Sequence, residues 1–326
     1  MGEILPSVGV TSGRDVHLQL FLGQIVSLWK GRVPELDIPI RYARGIAVLA
    51  AIVVAGSLAF GFREATAEPE RGGTVMVTNQ GQKDGDRLVT IEAKPGPISV
   101  DLARTAIVVV DMQNDFGAKG GMFDRAGIDI SMIQRAVGPT SKVLAAGRAA
   151  GVKVIYLKMG FKSDLSDLGS DDSPNRVRHM TLGVGKSEPA PDGKDSRVLI
   201  RDTWGTDIVP ELTPKTGDTV LYKHRFSGFY ETELDAVLKK LGVKYLIVTG
   251  CTTSICVEST IRDAMFRDYS CVLLADCTGE PIGYGLPRSN HDASLLTIQT
   301  LFGWVSGSPD FTRALDALPA ATVGKR

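Results

Sequence analysis

The chain has no surplus charge of either sign: 37 Lys and Arg balance 37 Asp and Glu over 326 residues. Without a basic excess there is little to neutralise a phosphate backbone, so general nucleic-acid binding is disfavoured. Cysteine is scarce. Cys251, Cys256, Cys271 and Cys277 are too few for a disulfide scaffold, and no Cys-x-x-Cys pair marks a thiol-redox motif. Histidine is equally scarce, and none stands near the cysteines at a zinc-site spacing. Internal repeats and low-complexity tracts are missing. What remains is ordinary globular composition, 43% apolar and 23% charged, long enough for one large domain or two ordinary ones.

Residues 1–75 read differently from the rest. Gly45–Phe62 is an uncharged run of 18 residues behind Arg41 and Arg44, at the lower edge of what spans a bilayer. Alternatively it is a signal-peptide core, with Ala65-Thr66-Ala67 as a small-x-small cleavage site. A third reading places the true start at Met76. The expected organisation is an N-terminal extension over 1–75 and a complete domain over 76–326. The expected location is the cytoplasm, with membrane attachment or export only if the extension acts as an anchor or signal.

From Arg87 onward, strand and helix signals alternate. Thr105–Val110, Val152–Leu157, Thr219–Tyr222, Tyr245–Thr249 and Cys271–Ala275 are short, nearly continuous apolar runs, as suits strands buried on both faces of a parallel sheet. Helical patterns over Ile133–Ala150 and Thr232–Leu241 each end in Gly just before the next strand. Repeated βα units predict an α/β domain, a three-layer, doubly wound, mostly parallel sheet of about six strands. Residues 160–196, rich in Gly, Pro, Ser and Asp, interrupt the rhythm and read as a lid or subunit contact.

Ligands of such sheets bind at the carboxyl ends of the strands. There the chain places Asp111, Lys223 and the turn Gly250–Cys256: an acid, a cation and a thiol. Cys256 lies near the start of a predicted helix over Val257–Phe266, where unpaired N–H groups favour a thiolate. Cys251, Cys271 and Cys277 read as small core residues. A thiol nucleophile needs a base. None of His17, His179, His224 and His291 is well placed for that task, whereas Asp111 compensated by Lys223 can serve. Arg225 reads either as an anchor for a substrate carboxylate or as a surface or subunit-contact residue. Arg262 reads as the i,i+4 partner of Glu258.

The segments VVVDMQNDF (Val108–Phe116), YKHRFSGF (Tyr222–Phe229) and TGCTTSICVESTIRDA (Thr249–Ala264) resemble the isochorismatase-like cysteine hydrolase superfamily, across about Thr105 to Gly307. FSGF at Phe226–Phe229, CVESTIRD at Cys256–Asp263 and FGWVS at Phe302–Ser306 are similar to ureidoacrylate amidohydrolases, cousins of biuret hydrolases and N-carbamoylsarcosine amidases. The resemblance implies a homo-oligomer and a catalytic triad of Asp111, Lys223 and Cys256. It also implies a cis peptide between Cys251 and Thr252, and an oxyanion hole from the backbone N–H groups of Thr252 and Cys256. No cofactor is implied, and the Asp-x-His metal signature of nicotinamidases is not found. The expected substrate is a small amide, ureido or carbamoyl compound, ureidoacrylate first. The alternatives are biuret, another N-carbamoyl or xenobiotic amide, or a catalytically silent binding protein. Phe116, Met159, Phe161, Arg225 and Phe229 are the candidate pocket residues. Met159-Gly160-Phe161 stands where the subgroup shows Asn-Gly-Trp, which implies a more apolar pocket.

Overall fold

The computed structural model describes residues 87–283 and 289–318, all within the compact unit Asn79–Arg326. The apolar run 45–62 and Met76 lie outside the described residues. Among the described residues, no helix is long and apolar enough to cross a membrane.

The chain enters through an antiparallel pair, β1 (Leu88–Ile91) and β2 (Ile98–Asp101), followed by β3 (Thr105–Val110). Two single helical turns, α1 (Asn114–Gly117) and α2 (Met122–Arg125), lead to the long helix α3 (Ser131–Ala149) and to β4 (Lys153–Met159). After α4 (Pro174–Thr181) come β5 (Thr219–Lys223), α5 (Leu234–Lys240) and β6 (Tyr245–Cys251). A π-helical turn, Thr253–Val257, runs into α6 (Glu258–Met265) and then β7 (Ser270–Gly279), α7 (Asn290–Thr297), β8 (Trp304–Ser306) and α8 (Ser308–Asp316).

The main sheet has six strands in the order β5-β4-β3-β6-β7-β8, every neighbouring pair parallel. Strand alternation explains the three layers. Ile107 and Val109 of β3 join a core with Ile133, Val143, Leu144 of α3 and Phe311 of α8. Ala106, Val108 and Val110 point the other way, to Leu234 and Leu238 of α5 and to Ile261 and Ala264 of α6. Both faces of β3 are therefore buried, which is why its sequence is apolar without alternation. Helices α3 and α5 are followed by Gly151 and Gly242, at φ of 68° and 66°, the left-handed stop that turns each helix back to the sheet.

The chain lays down β3, β4 and β5 in one direction, then returns to place β6 on the other side of β3. Sequence direction thus reverses between β3 and β6, and a crevice opens above their carboxyl ends. Val110 and Gly250 are opposite each other there. Gly250 has φ of 122°, and a Cβ on it would lie 2.0 Å from the Val110 carbonyl oxygen. Only glycine lets the strands approach this closely.

Candidate active site

Three strand ends deliver the polar floor of the crevice. Asp111 follows β3 at φ of 52°, a left-handed turn that Asp tolerates better than most residues. Lys223 ends β5, and its Nζ stands 2.7 Å from Asp111 Oδ2, with the two side chains 0% and 1% exposed. Lys223 Nζ also meets the Met159 sulfur at 3.5 Å and donates to the Arg225 carbonyl at 3.3 Å. Beyond the ion pair, the Asp111 oxygens have no hydrogen-bond partner of good geometry among the described residues. The acid has lone pairs to spare.

Cys256 sits in the π-helical turn after β6, buried beside this pair. The peptide bond between Cys251 and Thr252 is cis. Burial pushes the Cys256 thiol well above its ordinary pKa; Lys223 opposes the shift and Asp111 adds to it. Burial likewise raises Asp111, against the pull of Lys223. Lys223 is itself disfavoured as a cation by burial, but the adjacent Asp111 and Cys256 outweigh that and raise its pKa. The resting site is a protonated thiol beside an ammonium held charged and a carboxyl group whose pKa burial raises. Such a carboxylate is suited to take a thiol proton. Cys251 differs: it is fully buried, and its thiol donates to the Asp111 carbonyl at 3.1 Å.

Above the floor is a cavity of about 350 Å³ containing Asp111, Cys256 and Thr252. Its walls are mainly apolar, with Phe116, Met122, Phe123, Ile128, Met159, Leu199 and Ile255 among them. Leu182, Phe226 and Ile282, also in the wall, remain about 40% exposed. Arg178 and His179 come from α4, so the segment 160–196 does reach the cavity.

The five side chains expected at the pocket part company. Phe116 and Met159 line the cavity. Phe161 is fully buried one layer behind it, edge-on to His179 at 5.0 Å. Phe229 belongs to the core under α5 and α6 and stacks on Tyr269. Arg225 faces a separate groove, where its guanidinium donates to the Asp167 and His224 carbonyls at 2.9 and 2.7 Å. Arg262 pairs with Glu258 and lies 4.1 Å from the Phe302 ring.

Other residues, some of them inside the segment Val108–Phe116, hold the site together. Gln113 bridges to the Met159 backbone twice, donating to its carbonyl at 2.9 Å and accepting from its amide at 2.5 Å. Asp115 accepts from the amides of Leu199 and Met122 at 2.8 and 3.2 Å. Asn114 donates to the Trp204 carbonyl at 2.8 Å. The polar half of VVVDMQNDF therefore clamps β4 and the segment before Trp204 around Asp111. Buried Glu280 accepts from both the amide and the hydroxyl of Ser254, at 2.7 and 2.5 Å, fixing the turn that carries Cys256. Thr253 Oγ1 meets His291 Nδ1 at 3.0 Å on the other side.

Residues 105–310 match the isochorismatase domain model. The chain belongs to the isochorismatase family. It is 39% identical over 235 residues to the ureidoacrylate amidohydrolase RutB of Methylorubrum extorquens, covering 72% of this chain and 92% of that one. It is equally 39% identical to RutB of Serratia proteamaculans, covering 70% and 90%. In structure it is similar to a cysteine hydrolase from Pseudomonas syringae pv. phaseolicola, with TM-score 0.57 and 30% identity over 68% of this chain and 96% of that one. This isochorismatase-family chain is an enzyme of the amidohydrolase class. Among its described residues, no group of three or more His, Cys, Asp or Glu is gathered to hold a metal ion.

Proposed function

We propose that the enzyme is a cysteine-dependent amidohydrolase that cleaves a C–N bond of a small ureido, carbamoyl or amide compound, ureidoacrylate being the leading substrate. The observation that carries the reading is the buried Asp111–Lys223 pair at 2.7 Å, whose carboxylate lines one cavity with Cys256 at the strand-order reversal. Burying two charges costs several kcal/mol per ion unless they are well paired. A fold that needed only stability would fill the space with apolar side chains. The 39% identity to ureidoacrylate amidohydrolases supports the named substrate.

In the proposed cycle Asp111 accepts the Cys256 proton, and Lys223 stabilises the charge on both groups. The thiolate sulfur attacks the ureido or amide carbonyl, forming the C–S bond. The backbone N–H groups of Thr252 and Cys256 hold the oxyanion, fixed dipoles that need no reorganisation. On collapse the C–N bond breaks, and Asp111 returns its proton to the leaving nitrogen, releasing ammonia or an amine. Water then gives a proton to Asp111 while its oxygen attacks the thioester or thiocarbamate carbonyl. The C–S bond breaks and the thiol is regenerated.

The apolar walls favour a second substrate reading, a less polar amide. Ammonia release from ureidoacrylate, biuret, N-carbamoylsarcosine and a hydrophobic primary amide discriminates between them. Turnover of ureidoacrylate, abolished in Cys256→Ala, is the expected result. Retained turnover in that variant would refute the nucleophile, and cleavage of the hydrophobic amide alone would refute the substrate.

A further inference from the structure

The cavity walls offer an occupant few polar partners, and α4 supplies two of them side by side. His179 is 4% exposed and wedged between aromatic rings, Phe161 at 5.0 Å and Phe226 at 5.6 Å. Its Nδ1 lies 2.7 Å from the Asn175 carbonyl oxygen. A carbonyl only accepts, so the ring proton sits on Nδ1 and Nε2 is left as a lone-pair acceptor. Among the described residues nothing donates to that nitrogen, although the residue lines the cavity. Burial, assisted by the nearby charges of Lys223 and Arg225, holds the imidazole neutral.

Arg178, the preceding residue, is exposed but also lines the cavity, and its guanidinium makes no ion pair with the described residues. The other charge in the lining, Asp111, is matched by Lys223. The cavity therefore has an unpaired positive charge at its exposed edge. A guanidinium fork is shaped for a carboxylate, and a neutral imidazole nitrogen for an N–H donor.

We propose that Arg178 and His179 are the substrate-recognition pair of this site. Arg178 binds the carboxylate of an acyclic ureido or carbamoyl acid, and His179 Nε2 accepts an N–H from the same molecule. The inference shares its cavity with the proposed Cys256 chemistry and rests on that reading for the reaction that follows binding.

Calorimetric titration of the full chain carrying Cys256→Ala reads binding without turnover, using ureidoacrylate and its methyl ester as probes. The acid is expected to bind about tenfold more tightly than the ester, the scale of one charge-assisted contact. Adding Arg178→Ala removes this preference by weakening the acid alone, and Arg178→Lys restores part of it. His179→Phe keeps the ring packing but lacks the acceptor, and weakens acid and ester alike by about tenfold. Equal affinity for the two probes with Arg178 present, no binding of either, or a preference that survives Arg178→Ala overturns the proposal. So does His179→Phe without effect on either probe. Turnover by the chain with Cys256 intact is read separately. Binding as expected with no ammonia released refutes the catalytic reading and leaves the recognition pair standing.

Discussion

Replacing Lys223 by Met tests the centre of the site through stability rather than rate. The substitution keeps the length of the stem and removes the charge 2.7 Å from Asp111 Oδ2. At that distance and an effective dielectric of about 20, the attraction is about 6 kcal/mol. Relief of the buried ammonium's desolvation offsets part of it, and breaking a buried pair typically costs about 3–5 kcal/mol. The cost must depend on pH. Burial already raises Asp111 above its ordinary pKa while Lys223 draws it down, so the folded-state pKa climbs further once Lys223 is gone. A group whose folded pKa is raised holds its proton more tightly in the folded state. Lys223→Met is therefore closest to the parent at low pH and loses stability as pH rises through the new pKa. Urea unfolding, followed by tryptophan fluorescence at pH 5 and pH 8, measures both effects. The expected loss is about 3–5 kcal/mol at pH 8 and clearly smaller at pH 5. Asp111→Asn added to Lys223→Met recovers much of it. A loss under about 1 kcal/mol, the value of an exposed ion pair, with no pH dependence, would refute the tightly coupled buried pair.

Because burial raises the Cys256 thiol pKa, alkylation by iodoacetamide is expected to accelerate steadily from pH 7 to pH 9 without reaching a plateau. Mass spectrometry should find one modified thiol; rapid labelling of Cys251, Cys271 or Cys277 would contradict their core placement. Gln113→Ala strands the buried Met159 amide and carbonyl, and thermal unfolding should show a loss of about 2–4 kcal/mol, with each orphaned group costing about 1–3 kcal/mol. Glu280→Ala releases the Ser254 end of the Cys256 turn; kcat is expected to fall at least tenfold while the far-UV circular dichroism spectrum stays unchanged. Gly250→Ala drives a Cβ toward the Val110 carbonyl oxygen and should leave little soluble folded protein, a result checked by expression and gel filtration.

The parallel sheet was legible because its central strands are buried on both faces and so read as unbroken apolar runs. β8 escaped notice: three residues, Trp304–Ser306, carry too little pattern to be seen. The β1–β2 hairpin alternates exposed and buried positions as a strand should, but four residues per strand give a weak signal. Asp111, Lys223 and Cys256 stood out because each lies at the carboxyl end of a strand or in the turn that follows it. Arg225 was less legible: proximity to Lys223 in sequence suggested the cavity, but beyond the strand end the chain turns and the guanidinium serves the Asp167 carbonyl instead. His179 lay in a segment with no strand or helix register to orient it. Gln113, Asp115 and Glu280 act on backbone groups 46, 84 and 26 residues away, and no local pattern announces a partner that distant. The Trp-to-Phe departure at Phe161 matters less than sequence suggests, because that ring lies behind the cavity wall and meets it through His179.

The return of the chain to β6 also has a consequence for how the protein is made. During synthesis β3, β4 and β5 are all made before Tyr245–Cys251 emerges, so one side of β3 waits as an open edge of Val and Ile residues. Such an edge is a template for pairing with other chains, and parallel pairings of high sequence separation form slowly. Asp111 and Cys251, 140 residues apart, meet only when β6 docks and closes that edge. The step that hides the sticky flank of β3 is the same step that swings Cys256 over Asp111. A refolding chain should therefore acquire its active-site thiol chemistry only once that flank of β3 is closed, with β7 and β8 still to be added beyond β6, and the appearance of activity becomes a clock for the docking of β6.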